Sequence, residues 1–155
     1  MEEENEQKDT DESTSEIGKI EWLDLTVNEA SRIRDFYCSV VGWSSSEQDM
    51  GSYSDYNINL PGTTKTVAGV CHARGPNANL PAQWLMYVRV ADVAKSIEKC
   101  EKLGGEVIDG PRRMGNQRFC VIKDPSGAGD TFVAAFAKDF TENKNIEKAI
   151  RFANE

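Results

Sequence analysis

Three groups of residues in this chain carry the side-chain types that chemistry needs. The first is the stretch DPSGAGDTFVAAFA, residues 124–137. If its Gly127, Ala128 and Gly129 open a helix, their free backbone N–H groups would receive an anion such as phosphate. Asp130, next in line, would then stand ready to take a proton from a hydroxyl. The second is His72, the single histidine of the chain, beside Cys71. On a strand the two point to opposite faces, so they do not form a local Cys–His pair. A hydrogen-bonded structural histidine is the plain expectation, and a ligand-binding, metal-ligating or proton-accepting one the alternative. The third is a set of Trp22, Asp24, Tyr87 and Arg89 on matching faces of two strands, joined by Tyr56. One acid, one guanidinium and aromatic walls are the usual make-up of a small-molecule pocket. The competing expectation is an Asp24–Arg89 ion pair that only holds register. Tyr37 and Trp43 are further wall candidates, Tyr37 being expected in the core.

The elements that position these residues come from an internal repeat. With an offset of 63, IEWLDLTVNEASRIRDFYCSVVGW overlies QWLMYVRVADVAKSIEKCEKLGGE, so that Val27 meets Val90, Ala30 meets Val93 and Gly42 meets Gly105. Each copy reads as a strand, a polar turn, an amphipathic helix and a glycine exit. Leu23, Leu25 and Val27, with Met86, Val88 and Val90, alternate as faces expected under the helices. Trp22, Asp24 and Thr26, with Leu85, Tyr87 and Arg89, take the opposite faces. Glu29 and Asp92 are placed to accept orphan N–H groups at the helix starts. Short strands are expected after each helix, over 52–60 and 66–72 in the first half, and over 106–108, 118–122 and 130–137 in the second. RGPNANLPAQ, residues 74–83, is the linker.

Of the net charge of −8, residues 1–17 hold −7, from eight acidic residues and one lysine. That segment, without apolar periodicity, is expected to be a disordered acidic tail. The rest is near neutral with dispersed basic residues, which gives no footprint for nucleic acid. No apolar run is long enough for a membrane span, and no secretory leader is visible. Four scattered cysteines without a CxxC fit a reduced, cytoplasmic protein. Ile146, Ala149, Ile150 and Ala153 recur at helical spacing, so residues 139–155 are expected to close the chain with a C-terminal helix.

The motifs WLDLTV…FYCSVVGW, WLMYVRVADV, KLGGEVIDGP and VIKDPSGA, in that order, resemble the vicinal oxygen chelate superfamily of glyoxalase I, bleomycin-resistance proteins and extradiol dioxygenases. The resemblance implies an α+β fold of two paired βαβββ modules, residues 18–74 and 82–138. Together they form one curved mixed sheet around a cleft, within a domain spanning 18–138. It also implies a small-molecule ligand and a homodimer. Metal-dependent members place histidines where this chain has Trp22 and Leu85, and the last ligand position falls on Thr131. The cofactor expectation is therefore none, because a divalent ion needs converging donors that these positions lack. The enzymatic alternative is a glyoxalase-like lyase or dioxygenase with an atypical metal site using His72, Asp24 or Glu21.

Residues 124–137 also resemble the signature of ribokinase-like carbohydrate kinases, and the likeness continues through NIEKAIRFANE. It implies an anion hole at Gly127 and Gly129, a base at Asp130 and a helix from Asp130 to Ala137. The repeat instead demands a closing strand there. The strand is the expectation, and a phosphate-binding kinase remnant is the alternative.

Overall fold

A computed structural model describes residues 16–126 and 132–138. The chain runs β1 (Ile20–Val27), α1 (Ala30–Val41), β2 (Ser44–Asp49), β3 (Ser54–Asn59) and β4 (Thr66–His72). It continues through β5 (Trp84–Arg89), α2 (Val93–Lys102), β6 (Glu106–Met114), β7 (Gln117–Lys123) and β8 (Phe132–Lys138). This is βαβββ twice over. The strands join in one eight-stranded sheet of order β2-β3-β4-β1-β5-β8-β7-β6. That order is symmetric about its middle: β1 lies parallel to β4, β5 parallel to β8, and the two first strands meet antiparallel.

Each helix covers the outer strands of its own module. Ala30 of α1 packs on Tyr56, Ile58, Ala68 and Val70, with Val27, Ile33, Trp43 and Trp84 around them. Val93 of α2 packs on Cys120, Ala135 and Ala137, flanked by Val90, Ile97 and Ile122. Leu25 and Val27 therefore lie under a helix as their spacing predicts. Leu23 does not: it is 42% exposed, and its neighbour Ile20 is exposed too. The helices are centred over the outer strands and leave the central β1–β5 seam open on that side.

The helix ends show why short acidic side chains make good caps. Asp92 Oδ1 accepts from the Lys95 backbone N–H at 3.1 Å. Glu29, one methylene longer, makes no cap bond and pairs with Arg32 at 3.1 Å, contrary to expectation. Gly42, with φ of 82°, takes the left-handed exit of α1 and donates its N–H to Cys38 O.

Two strand expectations need correction, and a third, the closing strand, is borne out. β2, SSSEQD, lacks the apolar alternation by which strands are recognised and was not foreseen; it is a polar edge strand on β3. β6 runs on to Met114 rather than stopping at Ile108, with register shifts between Val107 and Arg112. β8 begins at Phe132, inside the segment where the kinase likeness implies a helix; it pairs with both β5 and β7. Two neighbours supply its backbone with a full set of ladder partners, which outweighs the helix propensity of VAAFA. The linker contains a short 3-10 turn, Gly75–Asn77, and buries Asn77 and Leu80. Residues 1–15 and 139–155, with the expected tail and C-terminal helix, lie outside the described residues. No helix among the described residues is long and apolar enough to cross a membrane.

Among the described residues the largest fully buried side chain is Phe119 of β7, stacked on Tyr87 with ring centroids 6.2 Å apart. Phe119→Ala is expected to cost about 3–5 kcal/mol of stability, measured by chemical denaturation. A loss under about 1 kcal/mol would mean that this core is not packed as described.

Candidate functional site

The face turned away from the helices differs sharply between the two modules. In module two it is mainly apolar: Leu85, Tyr87, Met114, Phe119 and Val121 form one cluster with Trp22 and the linker's Leu80, and the buried Gln117 lies at its edge. In module one it is polar. Strand alternation and register bring Asn57, Gly69 and Asp24 into one row across β3, β4 and β1. Cys71 and Thr26 form the next step of that row. Both Asp24 and Thr26 are buried.

Asp24 is the centre of this polar half. The Cys71 thiol donates to Asp24 Oδ1 at 3.3 Å. A side chain on Gly69 would run into Asp24 Oδ1 and close on the Trp22 ring, so the glycine opens the space in which the carboxylate lies. Asn57 Oδ1 is buried and has no hydrogen-bond partner. Tyr87 stands beside the group from the neighbouring strand. Its hydroxyl is held well above its usual pKa of 10.0, chiefly by burial, then by the charge of Asp24 and by Cys71. Tyr87 is thus a neutral phenol.

The remaining site candidates lie elsewhere. Arg89 forks onto Glu21, with NH2 to Oε2 at 3.0 Å, and reaches Glu16 at 3.5 Å. The expected Asp24–Arg89 pair is not the one that forms. Antiparallel pairing sets Asp24 opposite Leu85, and Arg89 is four residues further on, about 13 Å at the rise of a strand. Tyr56 packs on the helix side, with the Arg34 guanidinium 4.2 Å above its ring. Tyr37 and Trp43 are on that side as well: the Trp84 indole N–H donates to the Tyr37 hydroxyl at 2.9 Å, and Trp43 tilts against Tyr37 and meets Trp84 edge-on. Tyr37 is half-buried at the edge of the helix-side core, and Trp43 packs against that core rather than walling the cleft. His72 is at the end of β4, its Nδ1 3.1 Å from Asp55 Oδ1. Gly127, Gly129 and Asp130 lie outside the described residues.

Sequence reasoning missed Cys71 and Arg112 as members of the cleft. Cys71 was weighed only as a partner for His72, although the same alternation sends it toward Asp24. Arg112 went unplaced because β6 was cut short. It bridges Asp109 at 2.9 Å and Asn77 Oδ1 at 2.6 Å, and its guanidinium covers the Phe119 ring at 4.4 Å. The positions where metal-dependent relatives carry histidines hold Trp22 and Leu85, both inside the apolar cluster. An indole and an isobutyl group offer an ion no lone pair. No group of three His, Cys, Asp or Glu gathers for a metal among the described residues.

Residues 19–129 match the model of the Glyoxalase/Bleomycin resistance protein/Dioxygenase superfamily. The chain belongs to that family. It is 29% identical over 127 residues to the anthracycline biosynthesis protein DnrV of Streptomyces peucetius, covering 72% of this chain and 45% of that one. It is also 29% identical over 117 residues to the putative glyoxylase CFP32 of Mycobacterium tuberculosis, covering 72% and 43%. The chain thus spans less than half the length of these curated relatives. A methylmalonyl-CoA epimerase structure from Mycobacterium tuberculosis superposes with a TM-score of 0.42 at 15% identity, covering 79% of this chain and 88% of that one. Residues 119–155 match the pfkB family carbohydrate kinase model. There, 31 residues are 64% identical to ribokinase of Bacillus subtilis, covering 20% of this chain and 11% of that one.

Two outcomes follow from the site's packing. Gly69→Ala is expected to displace the Asp24 carboxylate and cost about 1–3 kcal/mol in denaturation experiments; an unchanged midpoint would contradict the close approach. Burial pushes the Cys120 thiol from 9.0 up to about 11. Because the folded state holds this proton more tightly, the contribution is complete below pH 9 and is lost as pH rises toward about 11. Denaturation midpoints measured from pH 8 to pH 11 should fall, and fall less in Cys120→Ala.

Proposed function

We propose that this chain binds a small organic molecule in the polar half of its cleft, around Asp24, without a resident metal ion. The observation that carries this reading is the Asn57–Gly69–Asp24 row. A buried acceptor without a partner and a buried carboxylate flank a position where only glycine leaves room. Buried acceptors left unmet are costly, and a ligand donor group would meet them. The complementary ligand carries hydroxyl or amino hydrogens on one edge. An aromatic or otherwise flat body suits it, because Trp22 and Tyr87 border the polar row on the β1–β5 side.

Membership of a superfamily that spreads one scaffold over several chemistries supports a cleft ligand and leaves the reaction open. The names of the relatives, an anthracycline biosynthesis protein and a putative glyoxylase, belong to proteins more than twice the matched length. The metal-free part of the reading is supported by the donor-poor side chains at Trp22 and Leu85.

The test is ligand-observed NMR with a library of hydroxylated and aminated aromatic compounds, followed by calorimetry of the hits. Asp24→Asn is expected to weaken a genuine ligand by about ten- to a hundredfold, the range of a hydrogen bond to a charged group. Equal affinity in the variant would remove Asp24 from the site. Elemental analysis of protein purified without chelator is expected to find no stoichiometric divalent ion. Such an ion, lost in His72→Ala, would favour the metalloenzyme alternative.

A further inference from the structure

The Asp55–His72 pair shares no residue with the Asp24 row, and its geometry is that of an oriented base. One carboxylate oxygen, Asp55 Oδ1, accepts both the His72 backbone N–H at 2.8 Å and a bond from ring Nδ1 at 3.1 Å. A carboxylate only accepts, so the neutral ring carries its proton on Nδ1 and leaves the Nε2 lone pair open. Two bonds from one oxygen to the same residue also fix the rotation of the ring. Tyr53 meets the ring edge-on at 5.6 Å, and Tyr56 tilts against it at 6.0 Å. The Asp55 side chain is 3% exposed and that of His72 19%, so the carboxylate is sealed in while part of the ring reaches solvent.

A cation stands on the same platform. The Arg74 guanidinium lies 4.4 Å over the Tyr53 ring. Arg74 is exposed and forms no ion pair among the described residues. Arg34 of α1 lies over the Tyr56 ring, and its charge is met by Asp35 at 2.8 Å. Cys71, next to His72, is turned to the cleft side by its bond to Asp24.

We propose that His72 Nε2 is the proton acceptor of a site for small organic acids. Asp55 is its positioning residue, and Arg74 anchors the anionic group of the substrate. In the step assigned to it, a C–H or O–H proton of the bound acid passes to Nε2. The bonding pair stays on the substrate as an anion, and the imidazolium so formed becomes an ion pair with Asp55. A structural histidine would need the Asp55 bond as well, but it would need neither an open Nε2 nor a cation beside it.

Because the chain has one histidine, its ring can be followed in full-length protein labelled with 15N-histidine. The neutral ring is expected as the Nδ1–H tautomer. Malonate should shift the His72 and Tyr53 ring signals saturably, with affinity at least tenfold weaker in Arg74→Gln, an exposed position whose change leaves the fold intact. Pyruvate, a carboxylate with an exchangeable methyl group, should incorporate deuterium faster with the wild-type chain than with His72→Gln. The Nε2–H tautomer, no ring shift with either anion, or exchange indifferent to His72→Gln would each overturn the proposal. Failure here would leave the Asp24 cleft untouched, since that site is probed by different variants and different ligands.

Discussion

The antiparallel junction of β1 with β5 governs what every other element of this protein can do. Neither copy of the repeat can bury both faces of its own four-stranded sheet. Joining their first strands makes one eight-stranded surface with a helix over the outer strands of each half. Because the strands run in opposite directions, equivalent positions in the two copies move apart along the junction. Trp22 meets Tyr87 and Asp24 meets Leu85. Arg89 is thereby carried to the far end of the sheet, where Glu21 and Glu16 neutralise it. The charged pair that joins the halves is thus peripheral, and Asp24 is left to the cleft.

The two halves then divide the work between them. Module two fills its side of the cleft with Leu85, Tyr87, Met114, Phe119 and Val121, and Arg112 closes over Phe119. Module one keeps Asp24, Asn57, Thr26 and Cys71 around a bare glycine. Devoting one half to apolar packing supplies the rigidity that the other, polar half needs. The rim pair of Asp55 and His72 belongs to the same module and shows the same restraint. Its buried carboxylate is paired on two sides before any ligand arrives.

Much of this arrangement was legible in the residues, and the gaps have physical reasons. The offset between Val27 and Val90 revealed the duplication, because period-two alternation and helical spacing repeat together. The same alternation placed Trp22, Asp24 and Tyr87 on the cleft side. It does not tell the direction in which strands meet, and the antiparallel register of β1 with β5 keeps Asp24 and Arg89 apart. It also missed β2, whose serines and acids form a strand only because β3 offers a ladder. Alternation alone does not say which face of β3 meets the helix: Tyr56 shares its face with Ile58, which lies under α1. The segment shared with ribokinase illustrates the wider rule: its residues favour a helix, and the vacancy between β5 and β7 made Phe132–Lys138 a strand.

The central claim is therefore a sheet joined antiparallel at its middle and closed in parallel by β8. Backbone NOEs in labelled protein test it most directly. The account predicts cross-strand contacts between Leu23 and Met86 and between Leu25 and Trp84, together with parallel contacts linking Val88 to Ala135. Helical contacts along residues 132–138, or no contacts between β1 and β5, would contradict it.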